Sequence, residues 1–442
     1  MNTSNRGKSS LRLNRRNIPH SILLGIYDVL LPLGKWLISL LSPFNPKLKK
    51  SIEGRRGGVK SWHINSSNKR SCILIHASSY GEYEGIRPLI DRLIEDGKTR
   101  IAVSYSSPSA RKVVESTDGL WAYGFLPFDF LSDQLKLLAR LEPDVIIVTK
   151  HDLWPNMVRA AKALRIPVIL VNANFPAGSS RLAPISRNFH RSFMRYLEAV
   201  WAVSEMDAKR ADQLLNGEVK IEALGDSRYD RVRQRAIQGQ DRFKNLKSSL
   251  SSERVFIIGS SWQKDERICW DAFARLKPEF PEIKMIVVPH EPTPEALDRN
   301  RRLCSDRRLD YKLFSEWKDE KIPEAVLLVD KMGVLADIYT VGWAAHVGGG
   351  FGKGVHSVIE PAAHGLPVSF GPNHGVSHEA SLLLQENGGF AVKTSDDIYN
   401  IWIRWLSDEN VYRKTATAAE DVVKKREGIT EMLVTKLKPY LD

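Results

Sequence analysis

Residues 71–96 read SCILIHASSYGEYEGIRPLIDRLIED, and this stretch decides the fold. The run SCILIHA (71–77) is a short apolar segment without polar alternation, as in a strand covered on both faces. A polar loop follows, then the helical pattern GIRPLIDRLIED (85–96). Strand, loop and helix in this order open a βαβ unit, the building block of a parallel sheet.

The same grammar extends outward. RIAVSY (100–105), DVIIVTK (144–150), PVILVN (167–172) and AVWAVS (199–204) read as further buried strands with helical patterns between them. A second series starts at RVFIIGS (254–260) and continues with KMIVVPH (284–290), AVLLVD (325–330), AAHVGG (344–349) and LPVSFG (366–371). Between about 226 and 253 the chain is polar, charged and without a strand, which marks the boundary. The expected fold class is α/β, with two doubly wound Rossmann-like domains facing a cleft and ligands at the carboxyl ends of the strands. The expected divisions are 1–50, 51–225, a linker at 226–253, and 254–442, whose last forty residues are helical and end in a mixed-charge helix able to pack back on the first domain.

The first fifty residues differ from the rest. Residues 1–20 carry Arg6, Lys8, Arg12, Arg15 and Arg16 with no acid, the run 22–41 is mostly apolar, and Lys47, Lys49, Lys50, Arg55 and Arg56 follow it. Twenty helical residues just cross a bilayer core, but Asp28, Pro32 and Lys35 interrupt the run and are costly at its midplane. A helix lying in the interface and a spanning helix are therefore both open, and a buried helix of the first domain is the plain alternative. The basic flanks suit an anionic cytoplasmic leaflet, so the segment is expected to hold the protein on the membrane.

Composition narrows the partners. In 442 residues, 43% are hydrophobic and 26% charged, which excludes a disordered or fibrous chain. The 65 Lys and Arg against 52 Asp and Glu leave a charge of +13, which favours anionic partners; no nucleic-acid module accompanies it. Three scattered cysteines without CxxC spacing read as reduced thiols and give no metal site.

Four loops carry candidate chemistry. Glu82, after the first strand, reads either as a helix cap or as a base accepting a proton from a bound hydroxyl, with Glu84 competing for both roles. In the loop 150–156, Lys150 is a candidate phosphate contact and Asp152 a residue that orients a neighbour; the plain alternative is Trp154 packed beneath solvated charges. Gly259-Ser260-Ser261 and the run Gly348 to Gly354, with Lys353 inside it, let a backbone approach a phosphate closely, or form tight turns. Glu360 lies four residues beyond His356 and is placed either to accept from ribose hydroxyls or to complement a helix dipole.

Taken together, HASSYGE (76–82), DLWPN (152–156), GDSRYD (225–230), GSSWQKDE (259–266), VDKMGVLADIY (329–339) and VGGGFGKGVHSVIEPAAHGLPVSFGP (347–372) resemble the 3-deoxy-D-manno-oct-2-ulosonic acid (Kdo) transferases of lipopolysaccharide assembly. The motifs come in the family's order and span nearly the whole chain. The resemblance implies a GT-B glycosyltransferase fold, CMP-Kdo as donor, a lipid A precursor (lipid IVA) as acceptor, no cofactor and no metal, and inverting transfer at the cytoplasmic face of the inner membrane. It implies that Glu82 is the general base and that Ser260, Ser261, Met332, Gly333, Gly348, Gly349, Gly350, His356, Ser357 and Glu360 border the donor. Lys150 and Asp152 fall on the acceptor side.

Three departures stand out: Ser357 where the family has asparagine, Lys150 where many members have glutamate, and His290-Glu291 where Arg-His is common. A different nucleotide sugar, or a relative without catalysis, are the competing readings.

Overall fold

The computed structural model describes residues 21–68, 71–150, 152–176, 178–250, 253–352, 354–375 and 377–441. They form two units. One comprises the chain up to Arg231 together with the segment from Gly428; the other is Val232–Glu427.

The first unit holds eight strands: β1 (His63–Ile64), β2 (Cys72–His76), β3 (Arg100–Tyr105), β4 (Ala122–Phe125), β5 (Val145–Thr149), β6 (Val168–Ala173), β7 (Ala199–Ala202) and β8 (Lys220–Ala223). Their order is β1-β4-β3-β2-β5-β6-β7-β8, and every pairing is parallel except that of β1 with β4. In β2, Ile73 and Ile75 enter the core on one face and Leu74 that on the other, which is why SCILIHA shows no polar alternation.

The second unit holds β9 (Arg254–Ser261), β10 (Ile283–Pro289), β11 (Tyr311–Leu313), β12 (Val326–Leu328), β13 (Ala344–Val347), β14 (Val368–Phe370) and β15 (Gly389–Ala391). The order is β11-β12-β10-β9-β13-β14-β15, all parallel. It too has a core on each face, with Phe256 and Ile258 on one and Val255 and Ile257 on the other.

All ten strands expected from the sequence are present. Between the sheets in sequence, residues 228–242 and 244–249 are helices, and no strand occurs among the described residues of that stretch. The last helix, Ile429–Leu437, differs from the division at 254–442. It belongs to the first unit, where Ile429, Leu433 and Leu437 join the core beside the Tyr80–Asp96 helix, and the Asp230 carboxylate accepts from the Gly428 and Thr430 amides.

Near the amino end, Ile22–Leu41 is one helix despite Pro32. Leu24, Tyr27, Asp28 and Lys35 fall on a single face at helical spacing. That face meets the domain. Leu24 is buried, the Tyr27 hydroxyl donates to Asp129 at 3.0 Å, Arg159 pairs with Asp28 at 2.7 Å, and the Lys35 ammonium lies 5.1 Å from the Phe128 ring. Two of the three interruptions, Asp28 and Lys35, therefore have partners on the domain, whereas Pro32 is exposed. Ile22, Ile26, Val29, Leu30, Leu33, Trp36, Leu37, Leu40 and Leu41 remain exposed. Of the basic flank, Lys47, Lys49, Lys50 and Arg56 are at the surface, whereas Arg55 packs inward and donates to the Leu126 carbonyl. Residues 1–20, with the remaining arginines of that flank, lie outside the described residues. All three cysteines are free and buried.

Candidate active site

In parallel α/β sheets ligands bind at the carboxyl ends of the strands that flank a central reversal of strand order. In the first sheet the reversal lies between β2 and β5. The two loops leaving these strands carry Glu82 on one side and Lys150 and Asp152 on the other.

Glu82 sits in the first turn of the Tyr80–Asp96 helix and is 7% exposed. Its Oε2 accepts from the Ser78 amide at 2.7 Å and the Ser78 hydroxyl at 2.6 Å, and the Thr149 hydroxyl lies 3.5 Å away. These donors all fall on Oε2; among the described residues none is directed at Oε1. The side chain thus gathers the loop before the helix, as a cap does, while one oxygen stays available as an acceptor. Glu84 is occupied differently, since Nε and Nη2 of Arg231 converge on its Oε2 at 3.0 and 2.9 Å.

Behind this loop, the buried His76 at the end of β2 bridges to the neighbouring strands. Its Nδ1 is 2.9 Å from the Ser104 hydroxyl, and its Nε2 is 3.1 Å from the Asp152 carboxylate. Asp152 therefore orients a histidine that sequence reasoning did not single out. The pairing of β2 with β5 brings them together across 76 positions, and no spacing rule announces it. Lys150 follows β5 with a left-handed backbone, φ 57°. Trp154 packs on the core beneath the loop. Asn156 and Arg159, just beyond, turn toward the amino-terminal helix and hold Asp28. His151 lies outside the described residues.

In the second sheet the reversal lies between β9 and β13, so Ser260 and Ser261, which close β9 rather than form a loop after it, meet the glycine run there. The meeting is close. A Cβ at Gly348 would stand 2.3 Å from the Ser260 carbonyl oxygen, and Gly349 has φ 90°. Side chains at these positions would separate the two segments. Asp265, fully buried, ties them by accepting from the Trp262 and Gly349 amides, each at 3.1 Å, and it lies 3.5 Å from Nε2 of the buried His346. Ser261 is also structural: its buried hydroxyl donates to Glu266 at 3.0 Å, and Glu266 is held by Arg299 at 2.5 Å. Ser260 has φ 49° and is partly exposed.

A cavity of about 570 Å³ opens at this point, lined by Trp262, Lys264, His290, Gly349, Phe351 and His356 among others. Burial, then the neighbouring His290, lower the pKa of His356. Of the expected donor residues, His356 and Gly349 line this cavity. Ser260, Ser261, Gly348, Gly350, Ser357 and Glu360 stand outside its lining, as do Met332 and Gly333 on the turn after β12. Met332 is 64% exposed. Glu360 is near Tyr339: burial, then the Glu360 charge, push that phenol far above its usual range. Trp262 was legible only as a letter inside a quoted motif, and His290 only as a departure from the family pattern. Lys353 lies outside the described residues.

Two parallel sheets of this kind in one chain are found in the UDP-GlcNAc 2-epimerase of Neisseria meningitidis, with a TM-score of 0.61, 14% identity, and 83% of this chain and 100% of that one covered. A glycosyltransferase of Rickettsia africae matches with a TM-score of 0.56, 13% identity, and 85% and 98% covered. The fold is that of the GT-B glycosyltransferase class. Residues 50–231 match the family profile described as 3-Deoxy-D-manno-octulosonic-acid transferase (kdotransferase). The 3-deoxy-D-manno-octulosonic acid transferase of Aquifex aeolicus is 26% identical over 75% of this chain and 85% of its own length, and that of Haemophilus influenzae is 24% identical over 93% and 96%. Residues 50–231 thus carry the Kdo transferase domain, and the likeness to these transferases runs along most of the chain.

Proposed function

We propose that this protein transfers Kdo from CMP-Kdo to a phosphorylated lipid A precursor, with Glu82 as general base. The observation that carries this reading is the Glu82 carboxylate itself, pinned through Oε2 at the reversal of the first sheet with Oε1 left to accept. In the reaction, Oε1 takes the proton of the attacking sugar hydroxyl, the hydroxyl oxygen bonds to the anomeric carbon of Kdo, and the bond from that carbon to the phosphate oxygen breaks. CMP leaves with the bonding pair. A single displacement inverts the anomeric configuration.

The donor is assigned to the second sheet. The Ser260 hydroxyl, which has no partner among the described residues, and the cavity beside the glycine loop offer polar groups for the CMP phosphate and so for charge that grows as the bond breaks. The Ser261 hydroxyl is committed to Glu266 and is dropped from that role. Lys150 and Asp152 remain the acceptor-side candidates, and Met332, Gly333 and Glu360 the nucleoside-side ones. The amino-terminal helix lies in the membrane interface at the cytoplasmic face of the inner membrane. Its polar face is used on the domain, its exposed face is apolar, and Lys47, Lys49 and Lys50 follow beside anionic headgroups.

The deciding experiment incubates Glu82→Gln with CMP-Kdo and lipid IVA and weighs the product by mass spectrometry, alongside calorimetric CMP binding. Transfer is expected to fall about a hundredfold or more, with CMP affinity unchanged. Near-normal transfer by the variant overturns the base assignment.

A further inference from the structure

The cavity beside the glycine loop contains an arrangement of three rings that the reading above does not use. The Trp262 and His356 rings are within 7° of coplanar, with centroids 6.4 Å apart, and the Trp262 indole nitrogen is 3.0 Å from Nε2 of His356. They are joined edge to edge. His290, from the end of β10, stacks on both, at 4.8 Å and 23° to Trp262 and at 4.4 Å and 16° to His356.

The direction of the edge-to-edge bond is fixed by chemistry. An indole nitrogen only donates, so Nε2 of His356 must accept, and a neutral imidazole that accepts at Nε2 carries its proton on Nδ1. No described residue accepts from Nδ1, and the ring lines the cavity. A proton on Nε2 would break the bond to Trp262 and place a cation beside His290. Among the described residues, the charged and titratable groups around the ring are His290 from the β10 end and Asp265 and Lys264 from the start of the Gln263–Leu276 helix. Asp265 is engaged by the Trp262 and Gly349 amides, and the Lys264 ammonium lies 5.1 Å from the Phe351 ring.

We propose that Trp262 is a positioning residue that locks His356 in the neutral Nδ1–H tautomer, with His290 stacked across the pair, so that His356 offers an uncharged N–H to an anionic oxygen of the nucleotide-sugar donor. This rests on the assignment of the donor to the second sheet. The lock makes donor recognition through this residue independent of pH across the range in which a free histidine titrates.

Trp262→Phe keeps the ring and removes the donor. In full-length protein labelled with 15N-histidine, with His356 assigned by loss of its signals in His356→Gln, the wild type is expected to show protonated Nδ1 and bare Nε2 at pH 8. The variant is expected to show Nε2–H populated. CMP affinity, measured by calorimetry, falls about fivefold in the variant at pH 8, the loss of one ordinary hydrogen bond. Relative to the wild type it recovers as the pH is lowered below the ordinary histidine range, because the released ring, still held down by burial and by His290, then takes a proton. A wild-type His356 protonated on Nε2, or an unchanged tautomer or an unchanged CMP affinity in the variant, overturns the proposal. If the tautomer shifts as expected but neither protein binds CMP, the donor-site assignment fails and the anion-recognition role fails with it.

Discussion

Arg159 reaches across 131 positions of sequence to place its guanidinium 2.7 Å from the Asp28 carboxylate, and the arginine side chain is 2% exposed. Asn156 adds an amide to the same carboxylate at 2.8 Å. The amino-terminal helix is thus tied to the domain through a buried cation. Removing residues 1–45 would take the Asp28 carboxylate away from that cation as well as removing the apolar surface.

Asp28→Ala is expected to destabilise the protein by about 2 kcal/mol. A fully buried pair broken on one side costs about 3–5 kcal/mol, and the 38% exposure of the Asp28 side chain reduces this through solvent screening. Thermal unfolding should fall by roughly 6 °C. An unchanged midpoint would show that the pair contributes nothing.

Membrane attachment is better tested on the opposite face of that helix. Leu30→Asp with Leu37→Asp changes two exposed residues and leaves the docking face intact. The double variant should lose sedimentation with vesicles containing anionic phospholipid while keeping its unfolding midpoint, and wild-type binding should weaken with salt. Full retention on vesicles would place the attachment elsewhere.

His364 supplies a pH test in the second unit. Burial lowers its pKa from the ordinary 6.5 to about 4, with Arg233 adding to the effect. The unfolded chain therefore binds a proton that the folded chain refuses. Stability from this group is complete above pH 6.5 and is lost as the pH falls toward 4. The loss amounts to roughly 3 kcal/mol. His364→Gln should unfold at nearly the same temperature at pH 5 and pH 7, whereas the wild type should be distinctly less stable at pH 5.

The sequence was most legible where burial is complete. Strands such as β2, β5 and β9 are covered on both faces, so they appear as uninterrupted apolar runs. The strands it did not reveal, β1, β4, β8, β11 and β15, are short and lie at or beside the margins of their sheets, where one neighbour or one face is enough. Lys220–Ala223 is an example: its burial pattern runs from exposed to intermediate, and KIEA carries no apolar signature. The candidate residues were legible as motifs, and most of them, though not Met332 and Gly333 after β12, lie at or beyond the ends of the strands at which order reverses. Their partners were not. Nothing in the letters pairs His76 with Asp152 or Trp262 with His356, and nothing distinguishes Ser260 from Ser261, although one hydroxyl is committed to Glu266. Those pairings arise when parallel strands bring distant loops side by side. Asp28 and Lys35 show the same limit, since an interruption in an apolar run looks costly until the face it occupies is known.

The three thiols have a practical corollary. Burial pushes Cys72 up to about 12 and Cys304 up to about 11, and it raises Cys269 well above the ordinary thiol range. At neutral pH the native protein presents maleimides and nitroxide reagents with almost no reactive thiolate. A single cysteine introduced at Trp36 or Phe44 would then take a spin label on an otherwise silent background. Its accessibility to oxygen against a water-soluble relaxant would report how deep each turn of the amino-terminal helix rests in a bilayer.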